Sequence, residues 1–184
     1  MKSLLYLVHR LPYPPNKGDK ITSFNMLKYL SQHFNIYLAC FIDDPEDWQY
    51  IDIVKKYCQD SCFVELNPKI SKLLSLRGLL SREALSVTYY RKNTLQQWVD
   101  ATLNNQSIDS VLIFSGVMAQ YVSHKLPPEI KTVLDLEDVD SDKWRQYAEE
   151  HRWPMSWVYK REAKYLLAYE TAMAQEFDTT VLVS

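Results

Sequence analysis

Apolar positions along the chain alternate between two rhythms. Leu4 to Val8 is a continuous apolar run of buried-strand length. Over residues 19–34, Ile21, Phe24, Leu27, Leu30 and Phe34 recur at helical spacing, with Asp19 as the expected N-cap. Residues 35–42 read as a second strand, closed by Asp43-Asp44-Pro45. A helix is expected over 46–58, with Trp48, Ile51, Val54 and Tyr57 or Cys58 inward, and a third strand over 61–66. The pattern continues with a basic helical segment at 69–82, a helix at 94–104 and a strand at 110–114. Next come a helix at 118–124, stopped by Pro127-Pro128, and a strand at 131–136. A long aromatic-rich helical region at 141–177, broken near Trp153-Pro154, leads to a last strand at 179–183. Repeated β-α alternation predicts an α/β fold: a doubly wound parallel sheet with helices on both faces and right-handed crossovers.

The chain has 184 residues, enough for one globular domain burying roughly 70% of its unfolded surface. It stops just after a strand that would ordinarily be followed by a covering helix or a second domain, so residues 1–184 are expected to be one domain of a longer protein. A net charge of −2 gives no global field favouring nucleic acid. Three cysteines, Cys40, Cys58 and Cys62, predict reduced thiols and a cytosolic compartment. Cys58 and Cys62 lack a second ligand pair, which argues against zinc. No apolar run approaches the roughly 18 residues of a membrane span, and the opening apolar stretch ends too soon, at His9-Arg10, for a signal peptide.

Ligands of open α/β sheets sit outside the carboxyl ends of the strands. Three polar loops fall there. Lys17-Gly18-Asp19-Lys20 follows the first strand, where backbone N–H groups and a helix start suit an anion. Ser115-Gly116 follows the strand at 110–114. Glu137-Asp138-Val139-Asp140-Ser141-Asp142-Lys143 follows the strand at 131–136. Its carboxylates suit Mg²⁺, a helix cap or sugar hydroxyls, but the spacing is not that of an EF-hand. His9, at the end of the first strand, is either a packing residue or part of the same cleft. The dinucleotide G-x-G-x-x-G and the Walker loop are both missing after the first strand, and acidic residues do not stand there as in a receiver domain.

Residues 68–92 carry Lys69, Lys72, Arg77, Arg82, Arg91 and Lys92 against the single acid Glu83. Ile70, Leu73, Leu74, Leu79 and Leu80 share roughly one helical face there. Two readings fit: an interfacial helix on a membrane, through Lys69, Lys72, Arg77 and Arg82, or a solvated helix packed on the sheet. The aromatic run from Trp144 to Tyr169 likewise suits core packing or a sugar-stacking platform.

The stretch His9-Arg10-Leu11-Pro12-Tyr13-Pro14-Pro15-Asn16-Lys17-Gly18-Asp19-Lys20 resembles the opening of sugar transferases associated with PEP-CTERM/exosortase exopolysaccharide systems, members of glycosyltransferase family 4. Met118-Ala119-Gln120-Tyr121, Asp138 to Trp144, Arg161-Glu162 and Leu166 to Glu170 are similar too. Leu136-Glu137 departs from the pattern, which has a more apolar pair before the aspartate. The resemblance implies the N-terminal, acceptor-side half of a GT-B fold, two Rossmann-like domains across a cleft. The second domain would hold the nucleotide-sugar and a Glu-x7-Glu signature, which has no counterpart in context here. The implied reaction is retaining transfer of a sugar from a nucleotide diphosphate-sugar to a glycan or lipid-linked acceptor, with no metal or cofactor. This domain alone would be inactive. By carry-over, Lys17, Gly18, Asp19 and Lys20 would face the donor diphosphate. His9, Ser115, Gly116, Asp138, Asp140 and Lys143 would lie near acceptor and sugar. The implied location is the cytoplasm, with peripheral contact at the inner membrane face. The alternative is a non-catalytic sugar- or lipid-binding module on the same sheet.

Overall fold

The computed structural model describes residues 1–79, 81–124 and 126–182, without the side chain of Arg77. Leu80 and Val183, and the Arg77 side chain expected at a membrane surface, therefore lie outside the described residues.

Six parallel strands form one sheet in the order β3-β2-β1-β4-β5-β6. They are β1 (Lys2–Val8), β2 (Phe34–Ile42), β3 (Asp60–Glu65), β4 (Ser110–Phe114), β5 (Lys131–Asp135) and β6 (Thr179–Val181). This is a Rossmann-like doubly wound α/β fold. Alternate residues of β1 serve opposite layers. Leu4, Tyr6 and Val8 pack with Leu27 of α1 (Gly18–Leu30) and Val54 of α2 (Ile51–Lys55). Leu5 and Leu7 belong to the other layer, with Leu95 and Val99 of α5 (Asn93–Asn105) and Leu166 and Met173 of α7 (Met155–Glu176). Between these lie α3 (Pro68–Ser75), α4 (Leu85–Tyr89) and α6 (Asp140–Glu150). A strand buried on both faces needs the uninterrupted apolar run that marks β1 in the sequence.

Several elements differ from expectation. The inward stripe of α1 is Lys20, Ser23 and Leu27, while Ile21 is exposed and Phe34 opens β2. The stripe is rotated because Lys20 is drawn inward by the buried carboxylate of Asp47, Nζ to Oδ2 2.5 Å. Asp19 sits in the first turn, and Lys17 holds the N-cap position without a side-chain hydrogen bond. The expected 46–58 helix is a 3-10 turn at Pro45–Tyr50 followed by α2. Burying Asp47 turns Trp48 outward there. Residues Gly116–Tyr121 are also 3-10 rather than α-helical. The aromatic region is two helices, α6 and α7, parted at Trp153-Pro154.

The strand order reverses between β1 and β4. Their carboxyl ends, Val8 and Phe114, are paired in register. The loops leaving them diverge to opposite sides of the sheet, which opens a crevice at this point.

Candidate functional site

A cavity of about 380 Å³ occupies that crevice, in the size range of small-ligand sites. His9, Asp19, Ser115, Asp138, Asp140 and Lys143 all line it. The three polar loops read from the sequence thus converge on one space. Lys17 and Gly18 are exposed and are not among the lining residues. A Cβ on Gly18 would meet nothing within 4 Å. Lys20 does not face the cleft as electrostatic support, since its ammonium is spent on Asp47. Gly116 is a packing glycine: a Cβ there would stand 2.9 Å from Leu136 Cδ2, and its carbonyl accepts from the Tyr169 hydroxyl (3.2 Å). It too stays outside the lining.

What the first loop presents to the cleft is a carboxylate. His9 Nε2 lies 3.3 Å from Asp19 Oδ2, and Arg10 NH1 lies 3.0 Å from the same oxygen. Arg10 NH2 reaches Asp43 Oδ2 at 3.3 Å. The hydrogen bond with His9, backed by Arg10 and the Lys20 amide, holds the Asp19 carboxyl well below the usual range against the cost of burial. The His9 ring lies parallel to Phe114, centroids 6.1 Å apart, and edge-on to Tyr90. Its buried Nδ1 has no hydrogen-bond partner among the described residues, nor has Arg10 Nε.

Two residues on the neighbouring strand ends adopt left-handed backbone. Ser115 has φ 78° after β4, and Glu137 has φ 62° after β5. Such conformations are costly for residues with a Cβ and persist where surrounding contacts fix them. Here the Ser115 amide donates to the Asp135 carbonyl (2.8 Å) and the Glu137 amide to Asp135 Oδ1 (3.0 Å). Asp140 begins α6, whose next residue is anchored from below. The Ser141 hydroxyl donates to Glu170 Oε2 (2.5 Å), and its amide to Oε1 (3.3 Å).

Burial, reinforced by Asp19, Asp138, Asp135 and Asp140, pushes the Glu137 carboxyl up to about 7. Burial also raises Asp140, against the opposing pull of Lys143 and His9. Glu137 therefore binds its proton more tightly folded than unfolded. Its contribution to stability is complete below the ordinary value of 4.5 and is lost as pH rises through about 7. Glu137→Gln is expected to flatten that decline by about 1 kcal/mol, allowing for solvent screening at a half-buried site. Melting temperatures across this pH window check it; an unchanged slope would place the Glu137 side chain outside the acidic cluster.

Glu137 and Trp144 also line the cleft, as do Arg10, Tyr90 and Ser86, which no sequence reading had singled out for the site. Glu137 stood in the acidic loop, where its density of carboxylates was the available signal. Tyr90 and Ser86 come from the segment read as a basic amphipathic helix, on a membrane or packed on the sheet.

The first helix of that segment, α3, contributes nothing to the cleft lining. Asn67 Oδ1 caps α3, accepting from the Lys69 and Ile70 amides at 3.1 and 3.3 Å. The helix buries Ser71 and Ser75 and exposes Ile70, Leu73 and Leu74, with Leu76 beyond it. Its serines face the protein and its leucines face solvent. Lys69, Lys72 and Arg82 are exposed on the same segment. No helix among the described residues is long and apolar enough to cross a membrane. The three cysteines are free thiols, and burial raises Cys58 to about 12 and Cys62 to about 11. Among the described residues, no group of three His, Cys, Asp or Glu side chains is placed to hold a metal ion.

Searched against known protein families and curated proteins, the sequence matches none.

Proposed function

We propose that this chain is the acceptor-side domain of a retaining glycosyltransferase of the family 4 type, acting in exopolysaccharide synthesis. The observation that carries the reading is the cleft at the strand-order reversal. There carboxylates from three different elements, Asp19, Glu137 and Asp140, meet Asp138 and an aromatic wall of Tyr90 and Trp144. Carboxylates accept hydrogen bonds from hydroxyls, and aromatic faces cover the apolar faces of a pyranose. Asp138 and Asp140 would hold acceptor hydroxyls. Glu137, whose proton is exchanged near neutrality, would receive the proton of the attacking hydroxyl. The donor, a nucleotide diphosphate-sugar, would sit on a second domain across the cleft, with the exposed backbone of Lys17 and Gly18 turned toward its phosphates. The resemblance of residues 9–20 and 138–144 to that family supports the same reading.

The test is sugar transfer by the whole protein that carries this domain, over a panel of nucleotide diphosphate-sugars. Asp138→Asn, with little change in melting temperature, and Glu137→Gln, with no more than the change of about 1 kcal/mol in stability given above, are each expected to lower kcat/KM by about 100-fold. No transfer from any donor sinks the reading. The exposed leucines and lysines of α3 add a peripheral lipid contact to the proposal. Flotation with anionic liposomes is expected to fall when Lys69, Lys72 and Arg82 become Glu, and equal flotation removes that contact. A non-catalytic saccharide-binding module is the second reading. It is favoured by the pairing of Arg10 with Asp19 and Asp43, which leaves the cleft short of positive charge for a diphosphate.

A further inference from the structure

Beside the acidic cleft lies a second cavity of opposite character. It measures about 340 Å³ and shares Ser86, Tyr90 and Trp144 with the cleft as common walls. Its remaining lining is mainly Leu85, Tyr89, Val158 and Tyr159. Tyr159 lies against Trp144, ring centroids 5.4 Å apart, and Tyr89 against Tyr90 at 4.9 Å. The one acid in the lining, Glu162, is occupied. It is 2% exposed and accepts the amides of Leu85 (2.6 Å) and Ser86 (2.8 Å). The Ser75 hydroxyl is turned back onto the Lys72 carbonyl (2.8 Å). What faces the space is therefore aromatic ring and aliphatic carbon, with Lys72 the one cation.

We infer that this cavity holds the hydrocarbon chain of an amphipathic glycolipid acceptor whose sugar end occupies the acidic cleft. The role as acceptor rests on the glycosyltransferase reading; the binding does not. Two adjoining cavities with shared walls suit one molecule with two chemistries. The cleft end must be rich in hydroxyls rather than anionic, because Asp19, Glu137, Asp138 and Asp140 outnumber the cations Arg10 and Lys143 there, and Arg10 is paired with Asp19 and Asp43. The other end must be mainly apolar, since aromatic ring and aliphatic carbon make up most of the lining of the second cavity. A chain longer than the cavity also has somewhere to go. Lys72 and Ser75 line the cavity, and Leu73 and Leu76 next to them in sequence stand exposed on the surface. An alkyl chain can therefore run outward beside the apolar face of α3 toward a lipid layer. A free sugar leaves the second cavity unused, and a peptide partner would leave the hydroxyl-binding carboxylates unused.

The test titrates methyl, hexyl, octyl and decyl glucosides, each below its micellar concentration, into the chain while following tryptophan fluorescence and heat. Affinity is expected to rise with chain length by up to about fourfold per buried methylene, then level off when the cavity is full. Val158→Trp, which fills the cavity, should bring the whole series down to the methyl glucoside. Val158→Asp, which places a charge in the apolar wall, should do the same and covers the case in which the larger side chain prevents folding. Octyl phosphate should bind more weakly than octyl glucoside. Leu167→Glu, on an exposed side of α7 and lining neither cavity, should leave the series unchanged. A series without chain-length dependence overturns the inference, as does one flattened by Leu167→Glu rather than by the Val158 variants. Octyl phosphate binding as tightly as the glucoside also overturns it, because the head would then not lie among carboxylates. The two ideas fail separately. Chain-length dependence in a protein that transfers sugar from no donor leaves the lipid site and removes the transferase. Transfer to a sugar-only acceptor, with a flat series, does the reverse.

Discussion

Lys20→Met is expected to cost about 3–5 kcal/mol of stability, the largest loss from any single change considered for this chain. The ammonium and the Asp47 carboxylate are both nearly inaccessible and lie 2.5 Å apart. Removing the cation leaves a charge without water and without a partner. That penalty exceeds what the pair contributes when intact, because most of its attraction only offsets desolvation. Lys20→Met combined with Asp47→Leu should therefore recover most of the loss. Urea unfolding of the four proteins in the cycle reads the coupling directly. Additive losses in the double variant would mean that the two groups do not meet. The pair joins the first turn of α1 to the 3-10 turn after β2. Its removal should thus also loosen Asp19, one residue away in the cleft.

The second large effect is expected at Glu162. Helix α4 begins after Ala84, which has no side chain able to cap it. Its Leu85 and Ser86 amides are instead accepted by a carboxylate 77 and 76 residues further along the chain. Glu162→Ala should cost about 3 kcal/mol, since hydrogen bonds to a charged group are individually worth about 1.5–3 kcal/mol and the donors would be left unmet. Glu162→Gln, with a single carbonyl oxygen, should lose roughly half as much. Amide hydrogen exchange at Leu85 and Ser86 provides a site-specific readout. If these amides remain as protected in Glu162→Ala as in the parent, the carboxylate does not hold the helix. Loosening here has a further effect, because Ser86 and Tyr90 wall both cavities.

The strands were legible because each holds a short run of apolar or β-branched residues between polar breaks, and β1 and β2, buried on both faces, are the plainest of them. The convergence of His9, Asp19, Ser115, Asp138, Asp140 and Lys143 followed from the same reading, since a parallel sheet places every strand's carboxyl end on one edge. What escaped was set by distant partners. In the expected stripe of Ile21, Phe24, Leu27, Leu30 and Phe34, Leu27 is buried and Leu30 and Phe34 pack on the core, but Ile21 is exposed because Asp47 draws its neighbour Lys20 inward. Nothing local marks Lys20 for burial. The same holds for Ser115 and Glu137, whose left-handed backbone is fixed by hydrogen bonds that their amides donate to Asp135 and not by residue type. The aromatic cavity was invisible for another reason: its walls come from α3, α4, α6 and α7, and no spacing within any one of them announces it. In segment 68–92 the shared apolar face of Ile70, Leu73 and Leu74 was legible, but not which way it turns; α3 buries Ser71 and Ser75 and leaves that face outward.

Beside Glu162, the Arg161 guanidinium donates to the carbonyls of Gly78, Ser81 and Glu83. Two consecutive side chains of one helix thus grip the main chain of the stretch from Gly78 to Ser86, touching peptide groups alone. A peptide group is the same in every residue, so this grip fixes the length of the stretch and not its composition. Composition is held by other contacts: Ala84 packs in the core, Leu85 and Ser86 wall the second cavity, and a Cβ on Gly78 would come within 3.0 Å of Leu85 Cδ2. Inserting or deleting one residue, however mild its chemistry, would misalign all five gripped groups at once.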